Sequence, residues 1–150
     1  MKRRDFLTAS ALALSAALLR AQDGERPLTV GVIGHTGQGN YGHGEDAVWL
    51  QIPGAKIVAV TDWKGGVYNE KGLDLAKLND YVKQQKTVAG FPGAATLTND
   101  ELFTLDVDIL VPAALENQIT MANAPAIKAK VIVEGANGPT SPDAHKHLHE

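Results

Sequence analysis

Between residues 28 and 44 a short apolar run breaks into a cluster of glycines, and few folds make use of that juxtaposition. Leu28-Thr29-Val30-Gly31-Val32-Ile33 is β-branched and apolar without alternation, the pattern of a strand buried on both faces of a parallel sheet. It runs into Gly34-His35-Thr36-Gly37-Gln38-Gly39-Asn40-Tyr41-Gly42-His43-Gly44, in which Gly37-Gln38-Gly39-Asn40-Tyr41-Gly42 fits G-x-G-x-x-G. In a dinucleotide-binding turn one glycine makes the bend, the next lets the backbone approach a pyrophosphate, and the third lets helix and strand pack closely. The following helix N-terminus offers unpaired N–H groups to the anion. A second apolar run, Lys56-Ile57-Val58-Ala59-Val60-Thr61, ends at Asp62, about 20 residues past Gly42, where a carboxylate can accept both ribose hydroxyls of an adenosine. A glycine-rich loop without a ligand is the competing explanation, and only the flanking strands and the acid argue against it.

The 150 residues suggest one domain. A net charge of −3 gives no sign of a nucleic-acid partner, since phosphate-backbone binding needs clustered Lys and Arg. With no cysteine, disulfides, thiolate zinc sites and cysteine nucleophiles are excluded, and the redox compartment stays open. The first residues, Met1-Lys2-Arg3-Arg4-Asp5-Phe6-Leu7, are basic and precede an Ala/Leu/Ser-rich run to Leu19. As a helix, Phe6 to Leu19 would be about 21 Å long, short of a ~30 Å hydrocarbon core, so no stable membrane span is expected. Residues 1–22 fit a signal peptide in which Arg3-Arg4-Asp5-Phe6-Leu7 resembles the twin-arginine motif. An amphipathic N-terminal helix is the alternative. Residues 23–150 then form the folded domain.

Residues 45–52 are expected to be the first crossover helix, stopped by Pro53-Gly54, with Val48 and Ile52 on the packing face. Residues 63–69 are expected to be a glycine-rich loop. Leu75, Leu78 and Val82 recur at helical spacing after Asp74, an N-cap. Residues 95–98 suggest a short strand, Asn99 the cap of a brief helix, and residues 106–113 and 130–134 two more buried strands. Pro125 fits only the first turn of a helix starting near residue 123 or 124. Thr140 or Ser141 would cap a terminal helix with Pro142 first and Asp143 in its first turn. Alternating strands and helices call for an α/β fold with a doubly wound, mainly parallel sheet of Rossmann type. Ligands in such sheets bind beyond the carboxyl ends of the strands.

Two family resemblances lie on these segments. The twin-arginine leader, Val30-Gly31-Val32-Ile33-Gly34-His35-Thr36-Gly37 and Gly39-Asn40-Tyr41-Gly42-His43-Gly44 resemble an exported oxidoreductase of the glucose–fructose oxidoreductase/inositol dehydrogenase (Gfo/Idh/MocA) family, over residues 1–62. That likeness implies an NAD(P)-binding domain whose first glycine follows the strand at once, at Gly34, whereas the spacing alone opens the turn at Gly37. Residues 54–150 resemble the cofactor domain of glutamate dehydrogenase, through Lys64-Gly65-Gly66-Val67-Tyr68-Asn69, Gly90-Phe91-Pro92-Gly93-Ala94, Asp108-Ile109-Leu110-Val111-Pro112-Ala113-Ala114-Leu115-Glu116-Asn117 and Glu134-Gly135-Ala136-Asn137-Gly138-Pro139-Thr140. By that resemblance Ala113, Ala114 and Asn137 border the nicotinamide ribose and ring, and Asp62 the adenine ribose. The two likenesses overlap at residues 54–62, which suggests a chimera joined inside the second strand.

The implied cofactor is NAD, with NADP admissible because Lys64 follows Asp62. The cofactor-binding set is Gly34, Gly37, Gly39, Asn40, Tyr41, Gly42, Asp62, Ala113, Ala114 and Asn137. No residue is tied by motif to catalysis. No metal site is expected, because His145 and His149 share a helical face without a partner carboxylate. The expected function is the cofactor domain of an amino-acid dehydrogenase of the glutamate type, to be completed by a substrate domain or by self-association. A sugar or polyol oxidoreductase domain and a stand-alone dinucleotide module or hybrid are the alternatives. The leader points to periplasmic export, the glutamate-dehydrogenase likeness to the cytoplasm.

Overall fold

A computed structural model describes residues 26–34 and 54–150. The leader, the turn glycines at 37, 39 and 42 with Asn40 and Tyr41, and the crossover helix expected at 45–52 lie outside the described residues. β1 (Leu28–Ile33) pairs in parallel with β2 (Ala55–Asp62) on one side and with β5 (Ile109–Pro112) on the other. β6 (Val131–Ile132) extends the parallel sheet beyond β5. β3 (Gly65–Tyr68) runs antiparallel to β2 and to β4 (Ala95–Leu97), giving the order β4-β3-β2-β1-β5-β6.

Both faces of this sheet carry a core, as the unbroken apolar strands require. On one face Leu75, Leu78 and Val82 of α1 (Leu75–Gln85) pack with Val88 and Phe91 on Val30, Val32, Val60 and Val111. On the other, Leu102 and Phe103 of α2 (Asn99–Thr104), a 3-10 turn (Ala124–Ala126) and Ala144 and Leu148 of α3 (Pro142–His149) cover Ile33, Val58, Leu110 and Ile132. Val30 faces Ile57 but Gly31 faces Ala59, so β2 carries one extra residue. That bulge puts Val58 and Ala59 on the same face while Ile57 and Val60 share the other.

The expected caps are present at Asp74, whose side chain accepts from Lys77 N, and at Ser141, which accepts from Ala144 N. Pro125 sits in the 3-10 turn, where its missing donor is harmless. Two local expectations need correction. The segment after Asp62 is not a loop: Trp63 and Lys64 form a two-residue turn and residues 65–68 return as a strand. Two glycines in four residues weaken a strand signal, yet here they are required. Gly65 has φ +142°, and a Cβ on Gly66 would lie 2.7 Å from the Val60 carbonyl oxygen. The cap of α2 is Thr98 rather than Asn99, because Thr98 and Glu101 close a reciprocal capping box.

At the amino ends of the strands one buried carboxylate joins three of them. Asp108, before β5, accepts from both guanidinium nitrogens of Arg26 at 2.8 and 3.0 Å, from Lys130 Nζ at 2.7 Å, and from the Thr29 N–H and hydroxyl of β1 at 2.9 and 3.0 Å. Burial pushes the Asp108 acid up, but the hydrogen bonds from Arg26, Lys130 and Thr29 outweigh it and hold it well below the usual carboxylate range. A folded-state value below the unfolded one means that this stabilisation is complete above the unfolded value. It is lost as pH falls below about 4 toward the folded value. Asp108→Ala is expected to lower stability at pH 7 by about 2–3 kcal/mol in urea unfolding. Asp108→Asn should flatten the loss of stability that acid causes in the parent.

Candidate cofactor site

The carboxyl ends of β1, β2 and β5 meet at one edge, and there the backbone itself makes the first contact. Gly34 closes β1 with φ +103°, and its N–H donates to the Thr61 carbonyl at 2.8 Å. A Cβ on Gly34 would sit 2.6–2.8 Å from the Cβ, Cα and N of Ala114. Only glycine permits that turn and that approach. Ala113 lies just beneath, fully buried, with its N–H bonded to the Ile33 carbonyl at 2.9 Å. Ala113 therefore supports the site from the sheet, and Ala114 forms its wall.

Beyond Ala114 opens a pocket of about 360 Å³ lined by Ala114, Leu115, Glu116, Asn117, Ala136 and Asn137. Its rim is two loops laced together. Asn117 N–H donates to the Gly138 carbonyl at 3.0 Å, Ile119 N–H to Pro139 at 2.8 Å, and Ser141 N–H back to Ile119 at 2.9 Å. Asn117 holds a left-handed backbone (φ +53°), tolerated best by Asn among side-chain-bearing residues. Ile119, with no exposed surface, anchors the first loop in the core. Gly34, Ala114 and Asn137, three of the positions expected from sequence, are thus brought together. Glu116 and Asn117 join them. Their signal was a polar pair four residues past the end of a buried strand, in the loop where ligands meet a parallel sheet.

Asp62 stands at the expected strand end but does not present its carboxylate to a ligand. It is 3% exposed. Its Oδ1 accepts from Lys64 N–H at 2.8 Å and Thr87 Oγ1 at 3.1 Å, and its Oδ2 accepts from Val88 N–H at 2.7 Å. The adjacent Thr61 hydroxyl is fully buried and has no hydrogen-bond partner among the described residues. A nicotinamide nucleotide therefore fits this edge unequally. The glycine approach and polar pocket at β1 and β5 suit the ring and its ribose, whereas the acid at β2 is committed to the protein. Among the described residues, no three His, Asp or Glu side chains group to hold a metal ion.

Comparison with known proteins gives this edge its family. The model of the glutamate/leucine/phenylalanine/valine dehydrogenases matches residues 9–150. The chain belongs to that family. The match runs unbroken through residues 54–62, and nothing found supports a second parent in the first part of the chain. Glutamate dehydrogenase of Thermotoga maritima is 51% identical over 112 residues, which cover 75% of this chain and 27% of that protein. The NADP-specific glutamate dehydrogenase of Saccharolobus shibatae is 49% identical over 98 residues (65% and 23%), and the NAD-specific one of Peptoniphilus asaccharolyticus 45% over 106 (67% and 25%). The hetero-hexameric glutamate dehydrogenase of Thermus thermophilus superposes with a TM-score of 0.72 at 30% identity, covering 92% of this chain and 32% of that one. The chain spans about a quarter of the length of the curated relatives it matches.

An unsatisfied buried hydroxyl costs about 1–3 kcal/mol, and a methyl fills the same volume. Thr61→Val is expected to raise stability by about 1 kcal/mol, read as a shift of the urea midpoint at unchanged slope.

Proposed function

We propose that this chain supplies the cofactor half of a glutamate-type amino-acid dehydrogenase and holds NAD or NADP along the edge formed by β1, β2 and β5. One observation carries the reading: Ala114, against which Gly34 packs at the end of β1, and Asn137, far apart in sequence, line a single pocket beyond the carboxyl ends of parallel strands. The relatives named NADP-specific and NAD-specific support both forms of the cofactor. A nicotinamide held there would supply hydride-acceptor chemistry for the oxidation of a carbon bearing an amino group.

The chain's own residues bind and orient. Gly34, at the end of β1, would leave the backbone open to close approach by the dinucleotide. Ala114 limits the depth of the pocket, and Asn137 with Asn117 and Glu116 supplies the polar rim. The turn positions Gly37, Gly39, Asn40, Tyr41 and Gly42 belong to the same proposal as holders of the pyrophosphate. The proton carrier and the groups that grip an amino acid are assigned here to a second portion of the enzyme, and self-association of this chain belongs to the same proposal, in keeping with the hetero-hexameric relative. Export through the leader is a separate proposal, independent of the cofactor site. No helix among the described residues is long and apolar enough to cross a membrane.

Isothermal titration of the 150-residue chain with NADH and with NADPH tests the reading, and one saturable site is expected. Gly34→Val should abolish binding. Asn137→Trp, at an exposed position, should weaken it at least tenfold with an unchanged melting temperature. Absence of binding by the parent chain, or full binding by Asn137→Trp, would overturn the assignment.

A further inference from the structure

The acid at the end of β2 is the residue that the sequence pattern assigns to the adenine ribose, and the geometry disagrees. A carboxylate can grip two ribose hydroxyls only with lone pairs turned toward solvent. Asp62 instead spends its oxygens on three internal donors from two different places: Lys64 N–H in its own turn, and the Thr87 hydroxyl and Val88 N–H in the segment leaving α1. Thr87 and Val88 are themselves buried, and Val88 packs in the core beneath α1. The carboxylate thereby ties the segment after α1 to the end of β2. The first of its bonds makes the two-residue bend that points residues 63 and 64 outward.

Those two residues are the exposed chemistry at this end of the edge. Trp63 is 67% exposed, more than any other large apolar side chain among the described residues. An indole so placed costs solvation unless something flat covers it. Lys64, beside it, is exposed and bears the charge that favours a phosphate. Adenine is a flat aromatic base that stacks on indole, and a 2′-phosphate is an anion within reach of the adjacent ammonium.

Building on the proposed cofactor site, we infer that Asp62 is a positioning residue rather than a ribose ligand, and that Trp63 and Lys64 at the turn it fixes receive the adenosine half. Trp63 stacks on the base of either cofactor, and Lys64 accepts the 2′-phosphate of NADP. The chain then binds NADH and NADPH with affinities within about tenfold of each other, because the Asp62 carboxylate is buried and does not face the extra phosphate.

The test combines thermal unfolding of the nucleotide-free chain with titration of NADH and NADPH. Asp62→Asn places an amide N–H₂ against N–H and O–H donors. Its melting temperature should fall by about 5–10 °C, while the ratio of the two affinities stays within about twofold. Thr87→Val, which removes only one of the three donors, should show a smaller fall and the same ratio. Trp63→Ala should weaken both nucleotides about tenfold with the melting temperature unchanged. Lys64→Ala should weaken NADPH alone, about fivefold or more. An Asp62→Asn protein that melts like the parent yet loses NADH and gains NADPH would show a ribose ligand and overturn the inference. So would a Trp63→Ala protein that binds both nucleotides fully. If the parent binds neither nucleotide, the cofactor reading fails and the roles of Trp63 and Lys64 fail with it. The melting temperatures of Asp62→Asn and Thr87→Val still decide whether Asp62 is the tie.

Discussion

The parallel pairing of β1 with both β2 and β5 is the constraint on which the rest depends. A strand paired on both edges and covered on both faces has no freedom to slip, because a one-residue shift would reverse the burial of every side chain. Val30, Val32 and Ile33 are all buried, the two valines in one core and Ile33 in the other. The carboxyl end of β1 is therefore fixed against its neighbours to within a hydrogen bond: Gly34 N–H meets Thr61 and Ala113 N–H meets Ile33. The crevice at this edge exists because three strand ends are held level there. The chain then departs in different directions to make the Ala114 wall and the Trp63 turn.

What the residues announced in advance follows from how local each signal is. β1, β2 and the capped helix after Asp74 were readable because long apolar runs and an N-cap act within a few residues. The return strand β3 was not, since Gly65-Gly66 argues against a strand until β2 and β4 lie on either side. The cap at Thr98 was readable in principle from the Thr98-x-x-Glu101 spacing. Ala114 was expected at this edge from the glutamate dehydrogenase likeness and the strand-end rule together, whereas Gly34 was expected from the sugar-oxidoreductase likeness that no comparison supports, and its approach to Ala114 comes from the pairing of β1 with β5. The consumption of Asp62 could not be read, because two of its three donors come from Thr87 and Val88, a full helix later in the chain.

The two buried aspartates at opposite ends of the sheet show how far position alone misleads. Asp108 meets a guanidinium, an ammonium and a threonine, so its charge is paired and its protonation suppressed. Asp62 meets only neutral N–H and O–H donors. Hydrogen bonds of this kind satisfy lone pairs without cancelling the charge. The first arrangement locks the amino ends of β1, β5 and β6. The second fastens a turn and leaves its residual field beside the exposed Lys64 ammonium.

A carboxylate at the end of a second parallel strand is thus two things in potential, and the number of internal donors chooses between them. With one donor, lone pairs remain for a ribose and the acid selects against a 2′-phosphate by repulsion. With three, drawn from its own turn and from a distant segment, the acid becomes part of the frame and selection passes to whatever side chains the turn displays. In this chain those are an indole and an ammonium, groups that attract a base and a phosphate. The same sequence position that elsewhere excludes a cofactor can, by the acquisition of two hydrogen bonds from a neighbouring segment, come to admit it.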